Sequence, residues 1–120
     1  MEPIVKRPWG EFEILGRFFL DENEVVIKKI TVSPSSKLSL QSHAKRSEQW
    51  NVVSGEGTFV IGEKNLPVKA GDCASIALNE KHRLINESAE QPLVVVEVDS
   101  GTFDENDIVR YEDDYGREQK

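Results

Sequence analysis

The sequence predicts an all-β fold, an antiparallel sandwich or barrel, on two observations. Short runs rich in β-branched and aromatic residues recur about every eight to twelve residues, each closed by a cluster of turn formers. No apolar pattern keeps a helical period for long. Strands of that spacing close into sandwiches, barrels or jelly rolls.

In chain order, Pro3 and Pro8 keep the N-terminus extended, and Trp9-Gly10 leads into a strand carrying Phe12, Ile14 and Leu15. Gly16 is expected to break that strand before Phe18, Phe19 and Leu20 resume it. Asp21-Glu22-Asn23 then turns the chain into a β-branched strand over residues 25–32. Lys28 and Lys29 are neighbours there, so only one can face inward.

Pro34-Ser35-Ser36 leads into residues 38–57, LSLQSHAKRSEQWNVVSGEG. Gln41 and His43 stand two apart, so on a strand they point the same way, roughly 7 Å apart. The polar residues 44–47 read as a turn, and Glu48 opens a second run with Trp50, Val52 and Val53. A hairpin here would fold Glu48 back beside Gln41 and His43. Residues 58–61 and 66–68 flank a Gly62-Glu63-Lys64-Asn65 turn, and strands are expected over 72–76, 82–85 and 93–98. The acidic segment 104–120 reads as one helical turn or extended chain. Its Ile108, Val109, Tyr111 and Tyr115 offer a face for docking on the barrel.

Gln41, His43, Glu48 and Gly55 fall on the frame His-x-His, three or four residues, Glu, six residues, Gly, with Gln in the first position. Gly71, His82 and Asn86 fall on a second frame ending His, three residues, Asn, in which Ala77 and Asn79 replace a Pro and a Gly. The two segments resemble the paired motifs of the cupin superfamily, which implies a double-stranded β-helix and a metal held by Gln41, His43, Glu48 and His82. RPWGEFEIL, LSLQSH..R.E.W, KHRLIN and DIVRYEDDYGR carry a narrower resemblance, to the cupin domain of type II mannose-6-phosphate isomerases. That domain usually ends a bifunctional enzyme that also carries mannose-1-phosphate guanylyltransferase. The likeness runs from Arg7 to Arg117.

Composition narrows the partners. A chain of 120 residues is expected to form one domain. A net charge of −7 and a pI near 4.9 argue against nucleic acid or an anionic membrane. They leave an anionic small ligand open, because local cations decide that. Cys73 is the single cysteine, which excludes an internal disulfide and suits a cytoplasmic setting. Its neighbours Ala74, Ser75 and Ile76 predict a buried strand residue. Glu13 and Arg17 interrupt any signal-peptide core, and no apolar run reaches the ~20 residues of a spanning helix.

Two imidazoles, a carboxylate and an amide oxygen suit one divalent ion of Zn, Mn, Fe, Co or Ni. The same donors match a two-histidine, one-carboxylate oxygenase site, so their identity alone leaves two chemistries open. Arg46, in the frame Q-x-H-x-x-R-x-E, is the candidate for phosphate binding and catalysis. Lys28, Arg110 and Arg117 also match family positions and are further substrate-binding candidates. Type II isomerases are richer in histidine where this chain has Ala44, Lys45 and Gln49. Lys45 could take a proton-transfer role only with a lowered pKa. Asn86 is expected to support His82 or to satisfy strand-end backbone, Trp50 to pack the barrel, and Arg83 to face outward. The resemblance implies a metal-dependent isomerase of a small-molecule hexose phosphate, interconverting mannose 6-phosphate and fructose 6-phosphate, working as a homodimer. The rivals are an iron oxygenase, a sugar-nucleotide epimerase and a non-catalytic sugar-phosphate-binding module.

Overall fold

Alternating burial along the long strands sets the layout. The computed structural model describes residues 3–104 and 106–116, and every regular element among them is a strand. In β3 (Asn23–Val32), Val26, Lys28, Ile30 and Val32 are buried, while Lys29 is exposed. In β11 (Leu93–Gly101), Leu93, Val95, Glu97 and Asp99 are buried between half-buried valines. Period-2 burial is what one face against a core requires.

These two strands pair at the centre of a six-stranded sheet. Around them lie β1 (Ile4–Arg7), β2 (Gly10–Leu20), β6 (Arg46–Ser54) and β9 (Cys73–Ile76), in the order β1-β2-β3-β11-β6-β9. The second sheet contains β5 (Leu40–Ser42), β7 (Glu56–Ile61), β8 (Lys64–Lys69), β10 (His82–Asn86) and β12 (Val109–Glu112). Its order is β12-β5-β10-β7-β8, and the two-residue β4 (Ser36–Lys37) also pairs with β10. Trp9, Phe12, Ile30, Trp50 and Val95 from the first sheet meet Phe59 and Leu84 from the second in one buried cluster. The all-β expectation holds, and the double-stranded β-helix with it.

Several local expectations change. Gly16 does not break its strand: β2 runs on through a register shift between Ile14 and Gly16, absorbing one extra residue as a bulge. In the tail, the extended one of the two expected readings holds for Val109–Glu112, where β12 pairs antiparallel with β5. Cys73 is exposed, since edge strand β9 turns Ile76 inward and Cys73 and Ser75 outward. Residues 38–57 do not form a hairpin ladder. β5 pairs with β10 and β12 whereas β6 pairs with β11 and β9, so the chain crosses from one sheet to the other at residues 43–45. Gly101 makes that crossing possible. It sits at φ 134°, and a Cβ there would lie 2.2 Å from the Lys45 carbonyl oxygen, which also accepts a hydrogen bond from Thr102 N–H.

Candidate metal centre

The two sheets bring His43, Glu48 and His82 together by facing one another. Glu48 comes from β6 in one sheet, His82 from β10 in the other, and His43 from the end of β5. All three are buried. His43 Nε2 lies 3.2 Å and His82 Nε2 3.6 Å from Glu48 Oε2, and the three donor atoms fall within 4.8 Å of one another.

Each ring is oriented from behind. His43 Nδ1–H donates to the Asp107 carbonyl at 2.7 Å, and His82 Nδ1–H donates to the Glu80 carbonyl at 2.8 Å. With Nδ1 donating, each ring turns Nε2 toward the Glu48 carboxylate. Three ligand-type atoms this close can share a cation, and the Arg46 guanidinium already contacts two of them. Ligands about 2.1 Å from one ion stand about 3.0–3.4 Å apart at octahedral to tetrahedral angles, close to the separations found here. The donor set fits a divalent metal.

Positive charge around Glu48 keeps it ionised. Burial raises the cost of ionising Glu48, yet its hydrogen bond with His43 and the charges of His82 and His43 outweigh that cost and hold its pKa well below the usual carboxylate range. Burial pushes the His82 pKa down despite the pull of Glu48, so the neutral, ligating form is favoured. Trp50 Nε1–H donates to Glu48 Oε1 at 2.9 Å and to Glu97 Oε1 at 3.1 Å. The indole thus packs in the core, 4.9 Å from the Phe59 ring, and also fixes two carboxylates.

A cavity of about 330 Å³ opens over the site. Gln41 lines it, with Nε2 donating to Ser39 Oγ at 2.9 Å, so only the amide's carbonyl oxygen is left to offer an ion. Arg46 also lines it and is buried against the donors. Its Nη2 donates to His43 Nε2 at 3.1 Å, and Nε lies 3.5 Å from Glu48 Oε2 and 3.9 Å from Asp99 Oδ2. Lys28 Nζ stands 3.6 Å from Glu97 and 3.5 Å from Asp99. Phe103 underlies both cations, with centroid distances of 4.5 Å to Lys28 and 4.8 Å to Arg46. Arg110 lines the cavity too.

Of the other expected residues, Arg83 also lines the cavity, whereas Lys45 and Asn86 do not. Lys45 is a correction: its side chain is 58% exposed, reaches Asp104 at 3.8 Å and does not line the cavity, because the turn points it to solvent. Arg117 lies outside the described residues. Asn86 serves backbone, its Nδ2 donating to the Val32, Ser33 and Gln91 carbonyls while Oδ1 accepts from Ser88 N–H. Arg83 does not face outward into solvent. It is buried, with Nε donating to the Leu38 carbonyl and Nη2 to the Glu112 carbonyl, filling the gap where β4 ends before β5 begins.

Sequence reasoning missed Glu97, Asp99, Phe103 and Asp107. For the first two a signal existed: they share the inward parity of Val95 in LVVVEVDS, so charges interrupt the core face itself. Burial, with Glu48 and Asp99 nearby, pushes the Glu97 carboxyl well above the usual carboxylate value of 4.5. The folded chain then keeps a proton that the unfolded chain loses above that pH, so this group's stabilisation is present below 4.5 and lost as pH rises through the folded pKa. Glu97→Gln mimics the protonated group. The melting temperature of the metal-free variant, relative to wild type, is expected to climb as pH rises from 4.5 toward 8. A difference that stays flat with pH would contradict this.

Two facing antiparallel sheets with a His, Glu, His set at one end define the cupin class. An RmlC-like cupin from Shewanella frigidimarina shares the fold, with a TM-score of 0.72 at 16% identity over 88% of either chain. The chain belongs to the family described as mannose-6-phosphate isomerase C-terminal, which matches residues 1–113. Xanthan biosynthesis protein XanB of Xanthomonas campestris pv. campestris is 42% identical over 116 residues, covering 94% of this chain. Alginate biosynthesis protein AlgA of Pseudomonas aeruginosa is 39% identical over 117 residues, again 94% of this chain. In both cases the match takes up only 23% of the relative's length.

Proposed function

We propose that this chain is a metal-dependent aldose–ketose isomerase that interconverts mannose 6-phosphate and fructose 6-phosphate. The observation that carries the reading is the convergence of His43, Glu48 and His82 acceptors at the floor of a cation-lined cavity. When bound, a divalent ion there supplies Lewis-acid polarisation of the sugar oxygens at C1 and C2. The protein's own residues orient the substrate around it.

Arg46 belongs at the reacting end, because its guanidinium already touches His43 and Glu48. Phosphate suits the far end, and the ladder supplies a cation there. Arg110 pairs across from Gln41, which pairs across from His82, so the three lie in one row of the second sheet. Adjacent strands are about 4.8 Å apart, which sets Arg110 roughly 10 Å of backbone from His82. That separation suits a hexose whose phosphate lies opposite its reacting carbons. A guanidinium contact to phosphate orients the sugar by charge-assisted hydrogen bonds.

A second reading, a sugar-phosphate-binding module without turnover, is favoured by Ala44, Lys45 and Gln49 standing where the family is richer in histidine. One experiment separates the two. Metal-loaded chain is incubated with mannose 6-phosphate in heavy water, and the sugars are followed by NMR. The isomerase reading expects fructose 6-phosphate to form and deuterium to enter C2 of the mannose sugar. Arg110→Ala is expected to raise KM for the phosphorylated sugar about tenfold or more, with little effect for free mannose. Ligand-induced stabilisation with neither product nor exchange would establish the binding module instead.

A further inference from the structure

We propose that Asp107 is a positioning residue for the metal centre, clamping the sheet-to-sheet crossing and holding His43 in its ligating tautomer. The inference rests on the metal reading above but concerns a residue that touches none of the donor atoms at the centre of the cluster.

The crossing at residues 43–45 leaves β5 and enters β6 in the other sheet, so its backbone amides have no ladder to join. Ala44 and Lys45 are exposed, so a partner here fixes the course of the turn rather than rescuing buried groups. One side chain satisfies two of these amides: Asp107 Oδ1 accepts from Ala44 N–H and Oδ2 from Lys45 N–H, each at 2.9 Å. The same residue's carbonyl accepts from His43 Nδ1–H at 2.7 Å. Three consecutive residues of the crossing, each donating one group, therefore end on Asp107.

Asp107 is itself held from both sides. Its own amide donates to the Asp104 carbonyl at 2.9 Å. Upstream, Gly101 and Thr102 lie against the Lys45 carbonyl, and downstream Val109 pairs with Ser42. The segment is thus a second strap around the turn between the first two ligands in sequence. Releasing the Nδ1–H bond would let His43 move its proton to Nε2, and that tautomer cannot bind an ion through Nε2. Ligand-orienting partners of this kind change metal affinity about 10–100-fold when removed.

The test has two readouts on the full chain. Cobalt(II) titration, followed by visible absorption, measures affinity for a defined metal. Long-range ¹H–¹⁵N NMR of the metal-free protein reads the His43 tautomer directly. Asp107→Ala keeps the backbone carbonyl but removes the carboxylate that holds the crossing amides; as the crossing loosens from that carbonyl, it is expected to weaken cobalt binding about tenfold or more and to mix the two tautomers. Asp114→Ala removes the same charge from the same acidic stretch, at an exposed site that pairs with Lys37, and is expected to change neither. Asp107→Asn keeps a carbonyl for one amide and should fall between wild type and Asp107→Ala, which keeps the test decisive if the alanine variant fails to fold. Wild-type cobalt affinity with a single Nδ1–H tautomer in both Asp107 variants would overturn the proposal. Should wild type bind no cobalt, the tautomer measurement alone decides the role of Asp107, and the metal reading fails only if zinc and manganese do not bind either.

Discussion

Replacing His43 or His82 with alanine is expected to lower hexose-phosphate isomerisation by about 10³-fold or more. Each variant removes one of two imidazoles from a three-donor cluster spanning 3.2 to 3.6 Å from Glu48 Oε2. Stabilising charge on the sugar oxygens is worth several kcal/mol, and about 4 kcal/mol corresponds to roughly 10³ in rate. Both rings are buried and His82 packs edge-on to Trp50 at 5.5 Å, so far-ultraviolet circular dichroism is the control: the strand signal should persist while kcat/KM collapses. A kcat/KM within tenfold of wild type for either variant would remove these residues from the reaction.

Trp50→Ala carries the largest expected cost in stability, about 3–5 kcal/mol, because a buried indole leaves a cavity that strands cannot close. Trp50 is 2% exposed and packs edge-on to Phe59. For a domain of this size the melting temperature should drop on the order of 15 °C. Trp50→Phe separates packing from hydrogen bonding. It keeps most of the volume but strips the N–H donor from Glu48 and Glu97, so it should lose less stability than Trp50→Ala yet still weaken metal binding. Equal metal affinity in Trp50→Phe and wild type would show that the indole only packs.

What was readable from the chain was local. Alternation marked the long strands, because period-2 burial appears within a few residues, and the resemblance to the cupin motifs pointed to Gln41, His43, Glu48 and His82, of which His43, Glu48 and His82 come together. What escaped depends on distant pairing. The crossing at residues 43–45 looks like a hairpin turn until β10 claims β5 and β11 claims β6. Alternation predicts Arg83 on the outside, yet it is buried, lines the cavity and donates to the backbone carbonyls of Leu38 and Glu112. Asp107 sits in an acidic stretch that reads as solvated charge. Two backbone amides outweigh a small burial cost and hold its carboxyl below the usual range, which no composition rule signals. Lys45 failed for the opposite reason, since a turn beside the site still points its side chain to solvent.

Metal content tests the central claim most directly. Wild type, His43→Ala and His82→Ala are stripped with chelator, reconstituted with zinc, manganese or cobalt in turn, freed of excess ion, and analysed by inductively coupled plasma mass spectrometry. The account predicts close to one ion per chain in wild type for at least one metal, and far less of that metal in both variants. Equal metal in all three proteins, or none in wild type with any of the ions, would contradict it.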